Sequence, residues 1–324
     1  MTHETDDAYC AARIHAARSR LIGRAEYDRL MRMSDVETLG YLQSTTYRPD
    51  VDALGIKDLD DLEAIDRVIA HHEDRALLAL ERLANASYAP IVRALLDAND
   101  AWNVRVAAEA IVGGEDVASA LARFARPGRV PFAAYATART LADLARLASG
   151  RFRRLLPADL PGFLDTLESA HARDPLPAGP AGRLFADERN LSRALRCMRE
   201  GVPVESAVAG MARGGMLSRS TLRRIAAAKD LTEALRIMRE TPYREAAERT
   251  LVDGTDMAVR AENDIHRAVL RALAKMTRAD PLGPGVLARH VAEIGMESAN
   301  LRLLMKARRL GLDEAFVRDR LAVP

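Results

Sequence analysis

The sequence predicts an all-α protein built from three divergent copies of one helical unit, and three observations lead there. Ala, Leu and Arg dominate a chain of 324 residues that is 48% hydrophobic but only 4% aromatic, which suits helices and not strands. No segment alternates apolar and polar residues over a strand's length. A short phrase also recurs three times: an acid, then Asn three residues on, then an aliphatic residue, then a helical stretch that stops at Gly. The copies are Asp100, Asn103, Val104 and Gly113; Asp187, Asn190, Leu191 and Gly201; and Glu297, Asn300, Leu301 and Gly311. Asn85, Asn99 and Asn263 stand outside it, with Arg82, Leu96 and Arg260 at the acidic position.

A second repeat supports the first. Leu21 to Tyr47 aligns without a gap on Leu217 to Tyr243, which sets Ser34 against Asp230, Glu37 against Glu233 and Thr45 against Thr241. Ser34 with Glu37, and Asp230 with Glu233, each read as a helix N-cap with an acid three residues on, which satisfies free amides at a helix start. A fainter middle copy runs from Arg139, Thr140 and Asp143 to Phe152. The expected repeats are residues 1–115, 116–203 and 204–324.

The elements follow in order. Ala8–Leu21 carries Ala11, Ile14, Ala17 and Leu21 on one stripe, a helical spacing. Ser34–Gln43 is the second helix, broken by Arg48 and Pro49. Asp61–Ala84 is long, with Leu62, Ile65, Val68 and Ile69 and then Leu77, Leu80 and Leu83 in phase. Ile91–Val112 holds the first motif and ends at Gly113 and Gly114. Short helices follow at Val117–Phe124 and Thr140–Ala148. Pro157, Pro161, Pro175, Pro177 and Pro180 punctuate the next stretch before Arg183–Arg199 carries the second motif. Then come Val204–Ala212, Ser220–Ala228, Leu231–Arg239 and a long segment from Thr241 towards Thr277. Thr241-Pro242 and Asp280-Pro281 read as helix starts. Val286–Leu310 holds the third motif, and a short helix closes the chain.

Composition excludes several function classes. With 48 basic and 46 acidic residues the net charge is +2, which argues against a dedicated nucleic-acid binder. Arg outnumbers Lys, which occurs only at Lys57, Lys229, Lys275 and Lys306. Cys10 and Cys197 lie far apart with no CxxC partner, so the expectation is a reducing compartment and no zinc site. The acidic N-terminus lacks the features of a signal peptide, and no apolar run approaches the roughly twenty residues that span a bilayer. The expectation is a soluble, cytoplasmic protein that meets a membrane only through a partner.

No catalytic, cofactor-binding or metal-ligating set emerges, and the expectation is a non-enzyme without cofactor or metal. His71, His72, Glu73 and Asp74 are adjacent on a helix, point about 100° apart and lack HExxH spacing, so they read as a solvated face. His266 and His290 are isolated. Ser218, Ser220 and Thr221 have no triad partners in view. Arg213, Gly214 and Gly215 lack the flanking pattern of a phosphate loop and read as a turn. Arg151, Phe152, Arg153 and Arg154 read as a solvated helix edge. The acid and Asn of each motif share one helix face, and Arg105, Arg193 and Arg302 beyond them are placed to pair with acids on that face or on a neighbouring helix. Two readings of the motif stay open: a polar contact rebuilt three times to set helix packing, or a ring of equivalent contacts to a symmetric partner.

Tyr9, Cys10, Arg13, Arg18 and Leu21, then Thr45 and Tyr47, resemble the opening of the C subunit of V/A-type ATPases (the d subunit in eukaryotes). Asp280, Gly283 and Gly285, followed by Glu297, Asn300 and Arg302, are similar to that family's C-terminal signature. The middle unit departs from the pattern, with Ser192 where the other copies have Arg105 and Arg302. The resemblance implies a helical funnel with pseudo-threefold symmetry. Its closed side would rest on the cytoplasmic face of the proteolipid rotor ring. Its opening would receive the central coiled-coil shaft, with a small companion subunit nearby. It implies a monomeric isolated chain that performs no chemistry and transmits torque as a peripheral part of the complex. A helical-repeat scaffold of an unrelated soluble complex is the alternative, and an enzyme built on His71, His72 or Glu73 the remaining rival.

Overall fold

The computed structural model describes residues 2–54, 62–150, 152, 155, 159–171, 179–253 and 257–322, and it is all-α: no strand occurs among the described residues. The chain divides into two compact units, Met1–Tyr88 with Leu270–Pro324, and Ala89–Val269.

The first unit holds α1 (Thr2–Arg18), α2 (Arg24–Leu30), α3 (Asp35–Gln43), α4 (Arg48–Asp52), α5 (Leu62–Leu83), α16 (Gly285–Arg309) and α17 (Glu314–Arg320). Central to it is α16, which packs against α1, α5 and α17. Its core draws on both ends of the chain, with Tyr27, Leu30, Leu42, Tyr47, Ile65 and Ile69 against Leu301, Leu304 and Met305. Partly buried ion pairs join the same ends. Arg18 of α1 grips Glu293 of α16 through Nε at 2.6 Å and Nη2 at 2.9 Å, the fork geometry in which guanidinium meets carboxylate best. Arg308 reaches Asp35 at 2.9 Å and the Leu30 carbonyl.

The second unit holds α6 (Ala89–Gly113), α7 (Val117–Phe124), α8 (Leu141–Ala148), α9 (Leu160–His171), α10 (Pro180–Glu200), α11 (Val204–Ala209), α12 (Arg219–Ala226), α13 (Leu231–Met238) and α14 (Arg244–Asp253). The unit boundary Val269/Leu270 falls inside α15 (Met257–Ala279). Two long helices organise the second unit: α6 packs on α7, α8 and α9, and α10 packs on α11, α12 and α13.

The predicted caps form: Ser34 and Glu37 make a complete capping box on α3, and Asp230 accepts the Glu233 amide on α13. Thr140 and Asp143, not read as a cap in the sequence, make a further complete box on α8. The three motif helices stop in the same way. Gly114, Gly201 and Gly311 take left-handed backbone angles of 71°, 67° and 63°, which glycine alone adopts without steric cost. The residue after each closes the turn on a carbonyl five residues back, Glu115 to Ala110, Val202 to Cys197 and Leu312 to Ala307. In the first copy the left-handed residue is thus Gly114, and Gly113 is the last helical one.

Several expectations need correction. Arg48 and Pro49 open α4, with Pro in the first turn where no amide is needed. Thr241-Pro242 does not start a helix: the Thr241 hydroxyl donates to the Met238 carbonyl at 2.6 Å and accepts the Tyr243 amide, so it finishes α13, and α14 begins at Arg244. The stretch towards Thr277 is two helices, α14 and α15. Asp280-Pro281 sits in a turn, and α16 begins only at Gly285. Helices α2 and α9 lie where no helix is predicted, α9 in a stretch notable in sequence only for its prolines; Pro161 lies in its first turn.

Candidate functional site

The repeated phrase builds three buried clamps. Each Asn turns inward and takes both backbone polar groups of one distant residue. Asn103 donates from Nδ2 to the Arg126 carbonyl at 2.8 Å and accepts the Arg126 amide at 2.8 Å. Asn190 does the same to Ala212, at 2.9 and 2.7 Å. Asn300 does it to Ala322, at 2.8 and 3.1 Å. A carboxamide carries one donor and one acceptor side by side, so it matches the N–H and C=O of a single residue; a carboxylate lacks the donor. The clamped residues lie 22 or 23 positions beyond each Asn. The chain that leaves the helix at the glycine stop and runs through a short helix is thereby tied back to the helix it left.

The acid of each motif holds a second stretch of backbone, about 30 positions on in the first two copies and near the start of the chain in the third. Asp100 accepts the Val130 amide at 3.1 Å, Asp187 the Leu217 amide at 3.0 Å and Glu297 the Ile22 amide at 2.5 Å. In two copies a tyrosine completes the set: Tyr243 OH donates to Asp187 at 3.3 Å and Tyr47 OH to Glu297 at 3.0 Å. In the remaining copy Phe152 is buried near the matching sequence position and brings no hydroxyl. Gly128 and Gly215 lie just before Val130 and Leu217. A Cβ on either would collide with the Asp100 or Asp187 carboxylate, so glycine lets the backbone approach the acid.

Burial sets the electrostatics. Desolvation pushes the Glu297 carboxyl up to about 6, against the Ile22 amide and the Tyr47 hydroxyl, which favour its charged form. Asp187 is raised for the same reason and held back by the Leu217 and Met216 amides and Tyr243. Tyr47 and Tyr243 are both raised, first by burial and then by the neighbouring carboxylate. These six motif side chains are buried and engaged with the protein's own backbone. They set helix packing and do not form a surface ring.

The basic residues beyond the motif find acids as the sequence predicts. Arg302 pairs with Asp66 at 3.4 Å and Glu73 at 3.8 Å, both on α5. On α9, Glu168 lies between Arg193 and Arg105, in contact with the first and 4.0 Å from the second. Arg193 also donates to the Ala207 and Ser206 carbonyls, so it serves the middle copy from one position beyond Ser192.

The histidine cluster is not one solvated face. His71 is exposed, but His72 is 6% exposed and stacks on Tyr47 with ring centroids 3.6 Å apart. Its Nδ1 lies 3.3 Å from Asp50, which Arg75 also grips at 2.5 Å. Burial and the Arg75 charge lower the His72 pKa. The reason is register: α5 turns His72 towards α4 and leaves His71 outside. Among the described residues, no three His, Cys, Asp or Glu side chains are grouped to hold a metal ion.

The remaining candidates scatter. His266 meets Glu188 at 2.5 Å, and His290 is buried on α16 with its pKa lowered to about 4 by desolvation. Ser218 caps α12 by accepting the Thr221 amide. Gly214 is left-handed in a turn, as expected for Arg213–Gly215. Of the basic run, Arg151, Arg153 and Arg154 lie outside the described residues, while Phe152 is buried and so cannot belong to a solvated edge. Cys10 and Cys197 are buried thiols, and the Cys10 Sγ donates to the Leu83 carbonyl at 3.2 Å.

Comparison with known proteins gives a consistent result. The family described as the ATP synthase (C/AC39) subunit matches residues 10–171 and 182–320. The C subunit of the A-type ATP synthase of Haloferax volcanii is 24% identical, over 99% of this chain and 99% of its own. That of Methanosarcina mazei is 22% identical over 98% of this chain and 92% of its own. Family coverage of nearly the whole chain, on an all-helical fold, leads to one conclusion: the chain belongs to the ATP synthase (C/AC39) subunit family of the V/A-type ATPases.

Proposed function

We propose that the chain is the non-catalytic central-stalk socket of a rotary V/A-type ATPase. It links the coiled-coil shaft and its small companion subunit to the proteolipid rotor ring and transmits torque for ion transport or ATP synthesis. Family membership along nearly the whole chain carries this reading. The clamps support it in physical terms. A part that passes torque must resist shear between its helices, and buried side-chain bonds to backbone resist it better than sliding apolar contacts. In this reading three repeats form a pseudo-threefold funnel on the rotation axis, peripheral to the membrane on its cytoplasmic face. Membrane contact is indirect, through the ring; no described helix is long and apolar enough to cross a membrane.

The test is a mild-detergent pull-down of this chain from its native membranes, with mass spectrometry of what comes along. Recovery of the proteolipid and shaft subunits supports the socket. Recovery of soluble partners alone, with those subunits present but unbound, replaces it with a helical-repeat scaffold. Salt should weaken the recovery, since polar interfaces are screened.

A further inference from the structure

Between Arg213 and Arg244 the chain carries eight basic and three acidic residues, a surplus of five on a protein whose net charge is +2. All eight basic residues are exposed. Two of the three acids are occupied locally: Asp230 caps α13, and Glu233 accepts the Lys229 amide. Where α12 of this basic stretch faces α11, the two helices leave an open groove of ≈ 700 Å³. Val208, Ala209 and Ala227 give it an apolar lining, Arg219, Arg223 and Arg224 a cationic one, and Glu205 is the single carboxylate among its lining residues.

The three arginines are steadied but not used up. Arg219 donates to the Val208 carbonyl at 3.0 Å, Arg223 to Glu205 at 2.9 Å and Arg224 to Glu240 at 3.1 Å. Each guanidinium has five N–H donors, and the side chains of Glu205 and Glu240 are 79% and 64% exposed. Ion pairs so exposed contribute little and exchange readily for a better partner. Nor does the repeat require these residues. In the ungapped alignment with the first copy, Gly23, Tyr27 and Asp28 stand where this copy has Arg219, Arg223 and Arg224.

We propose that the groove between α11 and α12 docks an acidic segment of a neighbouring protein subunit. Carboxylates of the segment face the three arginines, and its apolar side chains lie on Val208, Ala209 and Ala227. Charge complementarity selects an anionic partner. The recessed, partly apolar lining selects a chain that can enter it over a flat bilayer surface. The inference rests on the chain being a subunit of the rotary complex and adds where one of its neighbours binds.

The full-length protein tests it. The double reversal R223E/R224E, checked for fold by circular dichroism, is compared with wild type and with R223K/R224K in the membrane pull-down. A photo-crosslinking residue at Ala227 identifies the neighbour by mass spectrometry. The expected result is at least a tenfold loss of ring or shaft subunits with the reversal, retention with the lysine variant, and a cross-link to an acidic peptide of the complex. Equal recovery by the reversal variant overturns the groove and leaves the socket reading standing. A cross-link to phospholipid, or to a segment without acidic residues, overturns it too. Failure of wild type to recover any ring or shaft subunit overturns the socket reading itself and the inference with it.

Discussion

Asn190 holds Ala212 by both of its peptide groups, donating to the carbonyl at 2.9 Å and accepting the amide at 2.7 Å. Two hydrogen bonds from one short side chain fix both the distance and the direction of the clamped segment. The same geometry at Asn103 with Arg126 and Asn300 with Ala322 makes it the structural rule of the chain.

Replacing Asn190 with Ala therefore leaves two buried backbone groups unsatisfied. The expected loss is about 3 kcal/mol, read as a lower urea midpoint at constant slope. Asn190→Asp keeps the shape but loses the donor and adds a buried charge, so it should cost at least as much. If Asn190→Asp were neutral, the two-point clamp would be wrong.

Tyr47 and Glu297 should be energetically coupled. Removing the hydroxyl in Tyr47→Phe costs about 1 kcal/mol, since the ring stays and only the 3.0 Å hydrogen bond to Glu297 is lost. In a double-mutant cycle with Glu297→Gln, the two losses should fall short of additivity by a similar amount. Strict additivity would mean the 3.0 Å contact is not a working hydrogen bond.

Two kinds of glycine should respond with opposite sign. Gly128→Ala or Gly215→Ala drives a methyl into Asp100 or Asp187 and should destabilise by about 2 kcal/mol. Gly40 lies inside α3 with nothing near its missing Cβ, so Gly40→Ala should stabilise by up to about 1 kcal/mol. Thermal melts of the three variants decide it.

Two groups on α16 give stability opposing slopes in pH. The folded Glu297 pKa, about 6, lies above the ordinary glutamate value of 4.5. Its contribution is therefore greatest below 4.5 and is lost as pH rises through 6, a change of about 2 kcal/mol. For His290 the folded value of about 4 lies below the ordinary 6.5, so its contribution is full above 6.5 and is lost as pH falls towards 4. Denaturation curves from pH 7 to 4 should show Glu297→Gln losing stability more steeply on acidification than wild type, and His290→Gln less steeply. Unchanged slopes in both variants would contradict the burial of these groups.

Helices are legible in the sequence wherever periodicity and caps agree. Val117–Phe124 matches the observed helix end for end, and the caps at Ser34 and Asp230 form as read. Legibility fails where proline carries two meanings. Pro49 and Pro161 read as punctuation, yet each sits in a first turn and opens a helix. The acid-x-x-Asn phrase is visible, but its target is not, because Asn binds the backbone of Arg126, Ala212 and Ala322 and asks nothing of their side chains. Glu297 hides its partner further, since Ile22 lies 275 positions away. The burial of His72 is hidden because sequence cannot tell which of two adjacent histidines a helix turns inward. The arginines of α12 do not stand out as a patch because charge balance over the whole chain conceals a local surplus.

The socket itself is tested most directly by imaging the assembled complex, purified through a tag on this chain, by electron cryomicroscopy. The expected image has density for the chain on the rotation axis, between the shaft and the proteolipid ring, with the groove of α11 and α12 covered by a neighbouring subunit. Density for the chain at the stationary periphery, or a purified assembly with no ring and no shaft, would contradict the socket.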